Sequence, residues 1–164
     1  MRKEFGKIIA ELAEKDPNII LLVGDFGYGI IDEFKKRFPE RIFNMGICEQ
    51  SMLSIASGMA LEGLKPYVYS LTPFLIERSF EQIKLDIDQQ NVNVKLIGYA
   101  DYPGQGPTHA ELDAVYLTKL FRNIDSYFPE DTESVRRALI DSYRSDRPAF
   151  ISLKRDKYSQ SIGI

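Results

Sequence analysis

Arg41-Ile42-Phe43-Asn44-Met45-Gly46-Ile47-Cys48-Glu49-Gln50-Ser51-Met52 sets the architecture of the chain. A short apolar strand over residues 41–44 runs into Gly46. A helix begins just after it and continues as Leu53-Ser54-Ile55-Ala56-Ser57-Gly58-Met59-Ala60-Leu61, with Gly63 placed to cap its carboxyl end. Glu49 is the only carboxylate in that helix's first turn, among Ile47, Cys48, Met52 and Leu53. Such a neighbourhood disfavours an ionised carboxylate and raises its pKa unless something pairs with it. Glu49 is therefore a candidate acid/base group. The plainer alternative is a helix-start glutamate that complements the helix dipole.

Upstream, Phe5, Ile8, Ile9 and Leu12 recur at helical spacing and predict a helix over 3–15, stopped by Asp16-Pro17-Asn18. Ile19-Ile20-Leu21-Leu22-Val23 is an unbroken apolar run, as in a central parallel strand. It ends at Gly24-Asp25-Phe26-Gly27-Tyr28-Gly29, which is neither a dinucleotide fingerprint nor a phosphate loop and reads as a turn. A short helix over 31–38 closes at Pro39. Downstream of the Glu49 helix, strands are expected at 66–70, 92–99, 123–127 and 149–153. Helices are expected at 74–90, 110–121 and 131–145. A glycine- and proline-rich loop spans 100–108, and the sole histidine, His109, closes it.

This alternation predicts an α/β fold with a doubly wound, mostly parallel sheet and helices on both faces. The expected division is one domain over 1–156 and a tail over 157–164. Ligands of such sheets lie beyond the carboxyl ends of the strands, where Asp25, Glu49, segment 70–80 and segment 102–109 all fall. Composition fits one domain: 164 residues with a net charge of −3, which argues against a nucleic-acid footprint. The single cysteine, Cys48, rules out an intrachain disulfide and suits a reducing cytoplasm. The amino terminus is amphipathic rather than an apolar signal, and no apolar run approaches membrane length.

Taken together, the Arg41–Gln50 stretch, the Ala56-Ser57-Gly58-Met59-Ala60 helix and Gln105-Gly106-Pro107-Thr108-His109 resemble the pyrimidine-binding domain of transketolase-family thiamine diphosphate enzymes. The resemblance covers about residues 1–154. It implies that Glu49 matches the glutamate that contacts N1′ of the cofactor's aminopyrimidine and promotes proton removal from the thiazolium. It implies that Phe74 and Phe80 pack on the pyrimidine ring, although either taken alone reads rather as helix core; Glu77 stands where transketolases tend to have a third aromatic. His109 matches a histidine that contacts substrate or relays protons, an imidazole being able to exchange protons near neutral pH. Asp25 is placed near the ring or an interface, and Tyr28, Tyr99 and Tyr102 near the cleft. Gln105 replaces the family's usual aspartate, so sugar hydroxyls meet an amide that both donates and accepts.

The family also needs a domain that binds diphosphate through Mg²⁺ with a Gly-Asp-Gly segment and a downstream Asn, and this chain has no such segment. The resemblance thus implies half a cofactor site, in a separate subunit or an excised domain, completed by a partner subunit that carries the Mg²⁺ ligands, with self-association as a dimer or hetero-oligomer. The reaction it implies is two-carbon ketol transfer between sugar phosphates or related polyols. Two alternatives stay open: another carbon–carbon lyase or ligase with this cofactor (deoxyxylulose-phosphate-synthase-like or a 2-oxoacid decarboxylase), and a non-catalytic assembly or regulatory subunit. A neighbouring reading frame with the Gly-Asp-Gly-to-Asn motif favours the enzyme.

Overall fold

The computed structural model describes residues 1–100 and 106–155. Helix α1 (Arg2–Lys15) leads into β1 (Ile19–Val23), a short α2 (Asp32–Arg37) and β2 (Ile42–Asn44). Next come α3 (Glu49–Leu61), β3 (Lys65–Leu71), an irregular helical segment built around the single turn α4 (Phe80–Gln82), and β4 (Lys95–Tyr99). The chain then runs through α5 (Ala114–Thr118), β5 (Asp125–Tyr127), α6 (Thr132–Arg144) and β6 (Ala149–Leu153). The six strands form one sheet in the order β2-β1-β3-β4-β6-β5. Every pair is parallel.

Both faces of the sheet are covered, as the apolar strands require. Alternate residues of the central strands β1, β3, β4 and β6 divide between two cores. Ile19, Leu21, Tyr67, Tyr69, Ile97 and Ile151 pack with Phe5, Ile8 and Ile9 of α1, Phe34 of α2, and Val135 and Leu139 of α6. Ile20, Leu22, Val68, Leu96 and Phe150 pack with Met52, Leu53 and Ala56 of α3 and with Leu75, Ile76, Ile83 and Ile87. α2 and α3 thus lie on opposite faces. The chain goes from β1 outward to edge strand β2, then back across β1 to β3, so the topological switch point opens between β1 and β3.

The structure departs from the expected helices in two places. The helix expected over 74–90 is interrupted. Arg78 N–H reaches back to Pro73 O at 3.0 Å, and Gln89 N–H to Lys84 O at 3.1 Å, both wide π-type turns. Between them Ser79 is buried and donates its hydroxyl to Phe74 O at 3.1 Å, an intrusion that breaks the regular ladder. The helix expected over 110–121 begins only at Ala114, because the Asp113 carboxylate caps Tyr116 N–H at 3.0 Å. Ahead of it, Pro107–His109 form one 3₁₀ turn after Gly106, whose φ is +84°. Among the described residues no helix is long and apolar enough to cross a membrane. The expected tail over 157–164 lies outside the described residues, as do Gln105 and Tyr102.

Candidate active site at the switch point

Strand β1 ends at Val23, whose neighbours in register are Asn44 of β2 and Tyr69 of β3. Gly24 follows at the mouth of the crevice. A Cβ on Gly24 would stand 3.3 Å from Ser70 Oγ, 3.4 Å from Glu49 Oε1 and 3.5 Å from Gly46 O. The Glu49 carboxyl group thus lies beside the end of β1, with Ser70 Oγ across from it. Glu49 opens α3 with Cys48 at its N-cap, and only 1% of it is exposed. The sequence predicts a buried carboxyl group in need of a partner, and the structure supplies one: Arg78 Nη1 donates to Glu49 Oε2 at 2.8 Å. Glu49 Oε1 stays buried with no hydrogen-bond partner among the described residues, as does Ser70 Oγ, which flanks the same Gly24. Unpaired buried polar atoms are costly, and two of them meeting at Gly24 mark the end of β1 as a place suited to polar chemistry.

Arg78 links Glu49 to the other predicted residues. Its guanidinium lies over the Phe74 ring at 3.8 Å from the centroid. The Phe74 ring in turn meets the His109 imidazole edge-on at 4.9 Å. His109 is half-buried, and its Nδ1 is 3.1 Å from Thr108 Oγ1. Glu77, at the place of the third family aromatic, accepts Leu112 N–H at 2.8 Å and ties the Phe74 turn to the segment after His109. Phe80 does not join this row: it packs on Phe121 at 5.1 Å against the second core. Asp25 is exposed on the other lip of the crevice with φ +50°. Asn44 holds it there, accepting Asp25 N–H at 3.0 Å and donating to Asp25 Oδ1 at 3.2 Å.

Below Asp25, Arg2 of α1 braces three strand ends. It donates to Tyr69 OH at 2.9 Å and lies 5.1 Å from the Phe26 ring centroid and 4.3 Å from that of Tyr99. Burial pushes the Tyr69 phenol up to about 12, against the opposing pull of Arg2. Sequence reasoning singled out neither Arg2, Ser70 nor Arg78. For Arg78 a signal existed, since it lies four residues after Phe74, on the same helical face.

A family model described as "Transketolase, pyrimidine binding domain" matches residues 1–160. This chain belongs to the transketolase pyrimidine-binding domain family. Among relatives of this domain, 1-deoxy-D-xylulose-5-phosphate synthase of Thioalkalivibrio sulfidiphilus is 39% identical over 158 residues, covering 93% of this chain and 24% of that protein. An apulose-4-phosphate transketolase subunit of Actinobacillus succinogenes is 36% identical over 126 residues, 75% of this chain and 40% of that subunit. The chain thus spans about a quarter of the synthase and less than half of the transketolase subunit. A solved structure of a split-gene transketolase, described as an inactive beta4 tetramer, superposes with a TM-score of 0.85 at 28% identity, covering 99% of this chain and 53% of that one. Transketolase from Leishmania mexicana superposes with a TM-score of 0.82 at 20% identity, covering 94% of this chain and 25% of that one, and shares the fold.

Proposed function

We propose that this chain is the pyrimidine-side subunit of a split transketolase-like enzyme that moves a two-carbon ketol unit between sugar phosphates or related polyols. The observation that carries the reading is the buried Glu49 carboxyl group at the β1–β3 switch point, in line with Phe74 and His109. The likeness to a split-gene transketolase chain and to an apulose-4-phosphate transketolase subunit supports a divided enzyme.

The residues present fit the aminopyrimidine half of thiamine diphosphate. Phe74 offers an aromatic face, and beside it Glu49 offers a buried carboxyl group whose Oε2 already accepts an N–H from a flat guanidinium lying over that face. Thiamine diphosphate, when bound, supplies a thiazolium carbon that attacks a carbonyl and takes up the electrons of the broken carbon–carbon bond. In this reading Glu49 holds and returns a proton at the ring nitrogen N1′. Phe74 orients the ring, while Phe80, against Phe121, supports the turn that carries Phe74. Asp25, held by Asn44 on the opposite lip, would serve as a polar group near the ring or at the interface. His109 moves protons at the sugar's reacting oxygen, and Gln105 reads a sugar hydroxyl through its amide. The described residues contain no cluster of three or more acidic, histidine or cysteine side chains suited to a metal ion. With no Gly-Asp-Gly segment in the chain, the reading assigns Mg²⁺ and the diphosphate to the partner subunit. A second reading, acyl transfer as in the deoxyxylulose-phosphate synthases, is favoured by the 39% identity to such an enzyme. Use of pyruvate as donor by the assembled enzyme distinguishes it from ketol transfer.

The test is Glu49→Gln in the chain assembled with the co-purifying subunit that carries the diphosphate domain. Loss of a positioned acid/base group typically costs about 100- to 10,000-fold in rate, and a drop of that size is expected in turnover and in C2–H exchange on bound cofactor followed by NMR. The melting temperature should change little, because the arginine left behind is one-third exposed and can be solvated. Wild-type C2–H exchange in a folded variant would reduce Glu49 to a helix-start glutamate and end this reading.

A further inference from the structure

Arg78 already makes the two contacts that the functional reading asks of the cofactor's ring. Its guanidinium is flat, lies 3.8 Å above the Phe74 ring centre and directs an N–H at Glu49 Oε2 over 2.8 Å. An aminopyrimidine held by the same two residues would do the same things: lie flat on the phenyl face and direct nitrogen-borne hydrogen-bonding groups at the carboxyl group. The two cannot be there together. Oε2 is taken by Arg78, and Oε1 is turned inward toward Gly24 and Ser70, away from solvent.

We propose that Arg78 is an internal surrogate for the aminopyrimidine ring, closing the site until the ring displaces it. The proposal rests on the reading of Glu49 and Phe74 as the ring's partners. The geometry supports both states of such a device. In the closed state, stacking and a charge-assisted hydrogen bond hold the guanidinium, and they satisfy a carboxylate that is 1% exposed. For the open state, the Arg78 side chain is already 35% exposed, so it can swing into solvent without crossing the core. Its backbone sits where the wide turn from Pro73 meets the Ser79 break, off any regular helix. The ring must then break a strong contact to enter, so the site's affinity for the ring alone is held down. Arginine suits this task as lysine does not, because only the guanidinium is planar and weakly hydrated.

The experiment titrates the full chain with 4-amino-5-hydroxymethyl-2-methylpyrimidine, the ring fragment of thiamine, and follows ¹⁵N-labelled Arg78 Nε, Phe74 and His109 by NMR. In the wild type the Arg78 signal should move toward that of a solvated arginine as the Phe74 ring signals report stacking. Arg78→Met should bind the fragment at least ten-fold more tightly. Arg78→Lys keeps a charge beside Glu49 and preserves folding, but it cannot stack flat, so it should also bind more tightly than wild type. An Arg78 signal that stays unmoved while the fragment binds overturns the proposal, as does equal or weaker binding by the Met and Lys variants. The double variant Glu49→Gln/Arg78→Met separates the two ideas. If the gain survives there, Glu49 is not the ring's partner and the functional reading itself fails. If Glu49→Gln alone abolishes binding while Arg78→Met gives no gain, the functional reading stands and only the surrogate falls.

Discussion

Lys95, the first residue of β4, lies at the opposite end of the sheet from Glu49 and is only 1% exposed. Its ammonium group donates to Ser145 O at 2.9 Å and to Arg147 O at 2.6 Å, pinning the turn between α6 and β6. Burial pushes its pKa down to about 8 from 10.5, with Asp146 and Asp125 pulling the other way. A depressed pKa means that the unfolded chain holds this proton over a range where the native chain has released it. Stability from this group is therefore complete above pH 10.5 and is lost as pH falls from 10.5 through 8. The buried tyrosines oppose it at higher pH. Tyr69, raised to about 12, contributes stability that is full below pH 10 and lost as pH rises further, and Tyr67 is raised in the same direction. Between pH 8 and 10 the wild type should grow more stable as pH rises. Lys95→Met should lose that slope while carrying a constant penalty for two uncapped carbonyls. Urea unfolding of both proteins at several pH values in this range checks it, and identical slopes would remove Lys95 as the cause.

Helix α1 shows how one element sets the site's geometry from the far side of the sheet. Gly6 lies against the segment that follows β1, and a Cβ there would stand 1.9 Å from Ile30 O, a backbone atom that cannot yield by rotating a side chain. Arg2, one turn earlier, grips Phe26 of the same segment. α1 thus seats the stretch that carries Asp25 on the lip of the crevice. Gly6→Ala should push that stretch off the helix, with a cost of about 1–3 kcal/mol as for other overpacked sites. The backbone amide signals of Asp25 and Asn44 should shift with it. A variant as stable as wild type with those signals in place would show that the segment does not depend on α1. The sequence pattern of α1 announces its buried stripe but not this requirement, since a glycine on an apolar face looks like any small core residue until the opposing carbonyl is known. Segment 74–90 is the converse case. Its apolar spacing reads as one helix, and Leu75, Ile76, Ile83 and Ile87 are indeed buried. A wide turn adds one residue without disturbing the spacing on either side, so periodicity does not register it.

At the scale of the molecule, apolar side chains are left uncovered beside the carboxyl ends of the strands. Ile47, two residues before Glu49, is 72% exposed, and Tyr28 beyond β1 is 81% exposed. On the proposed function this rim meets the subunit that carries the diphosphate half. Ile47→Asp should weaken that association at micromolar concentration, as measured by sedimentation velocity. The isolated chain should melt as before, because the residue is already in solvent. Undiminished complex formation would place the interface elsewhere. The same view has the isolated chain binding thiamine diphosphate weakly even with Mg²⁺ present.

Local signals in the chain were enough to set the layers and the ends of this fold. Unbroken apolar runs such as 19–23 required a parallel sheet covered on both faces. Turn residues then placed Asp25, Glu49 and His109 at the carboxyl ends of the strands, because both signals depend only on near neighbours in the chain. The ordered pair of the Glu49 stretch and Gly106-Pro107-Thr108-His109 was enough to suggest the family. Which of those residues meet was settled only by the packed fold. Phe74 was brought to His109, while Phe80 was turned to Phe121. Arg78 was brought to Glu49 across 29 positions of sequence, and Ser70 and Gly24 were set around the same carboxyl group by the pairing of β1 with β3. Such meetings follow from strand order and from a break in a helix, and no periodicity records them, because the buried carboxylate acquires its partner only when two distant segments are packed on one sheet edge.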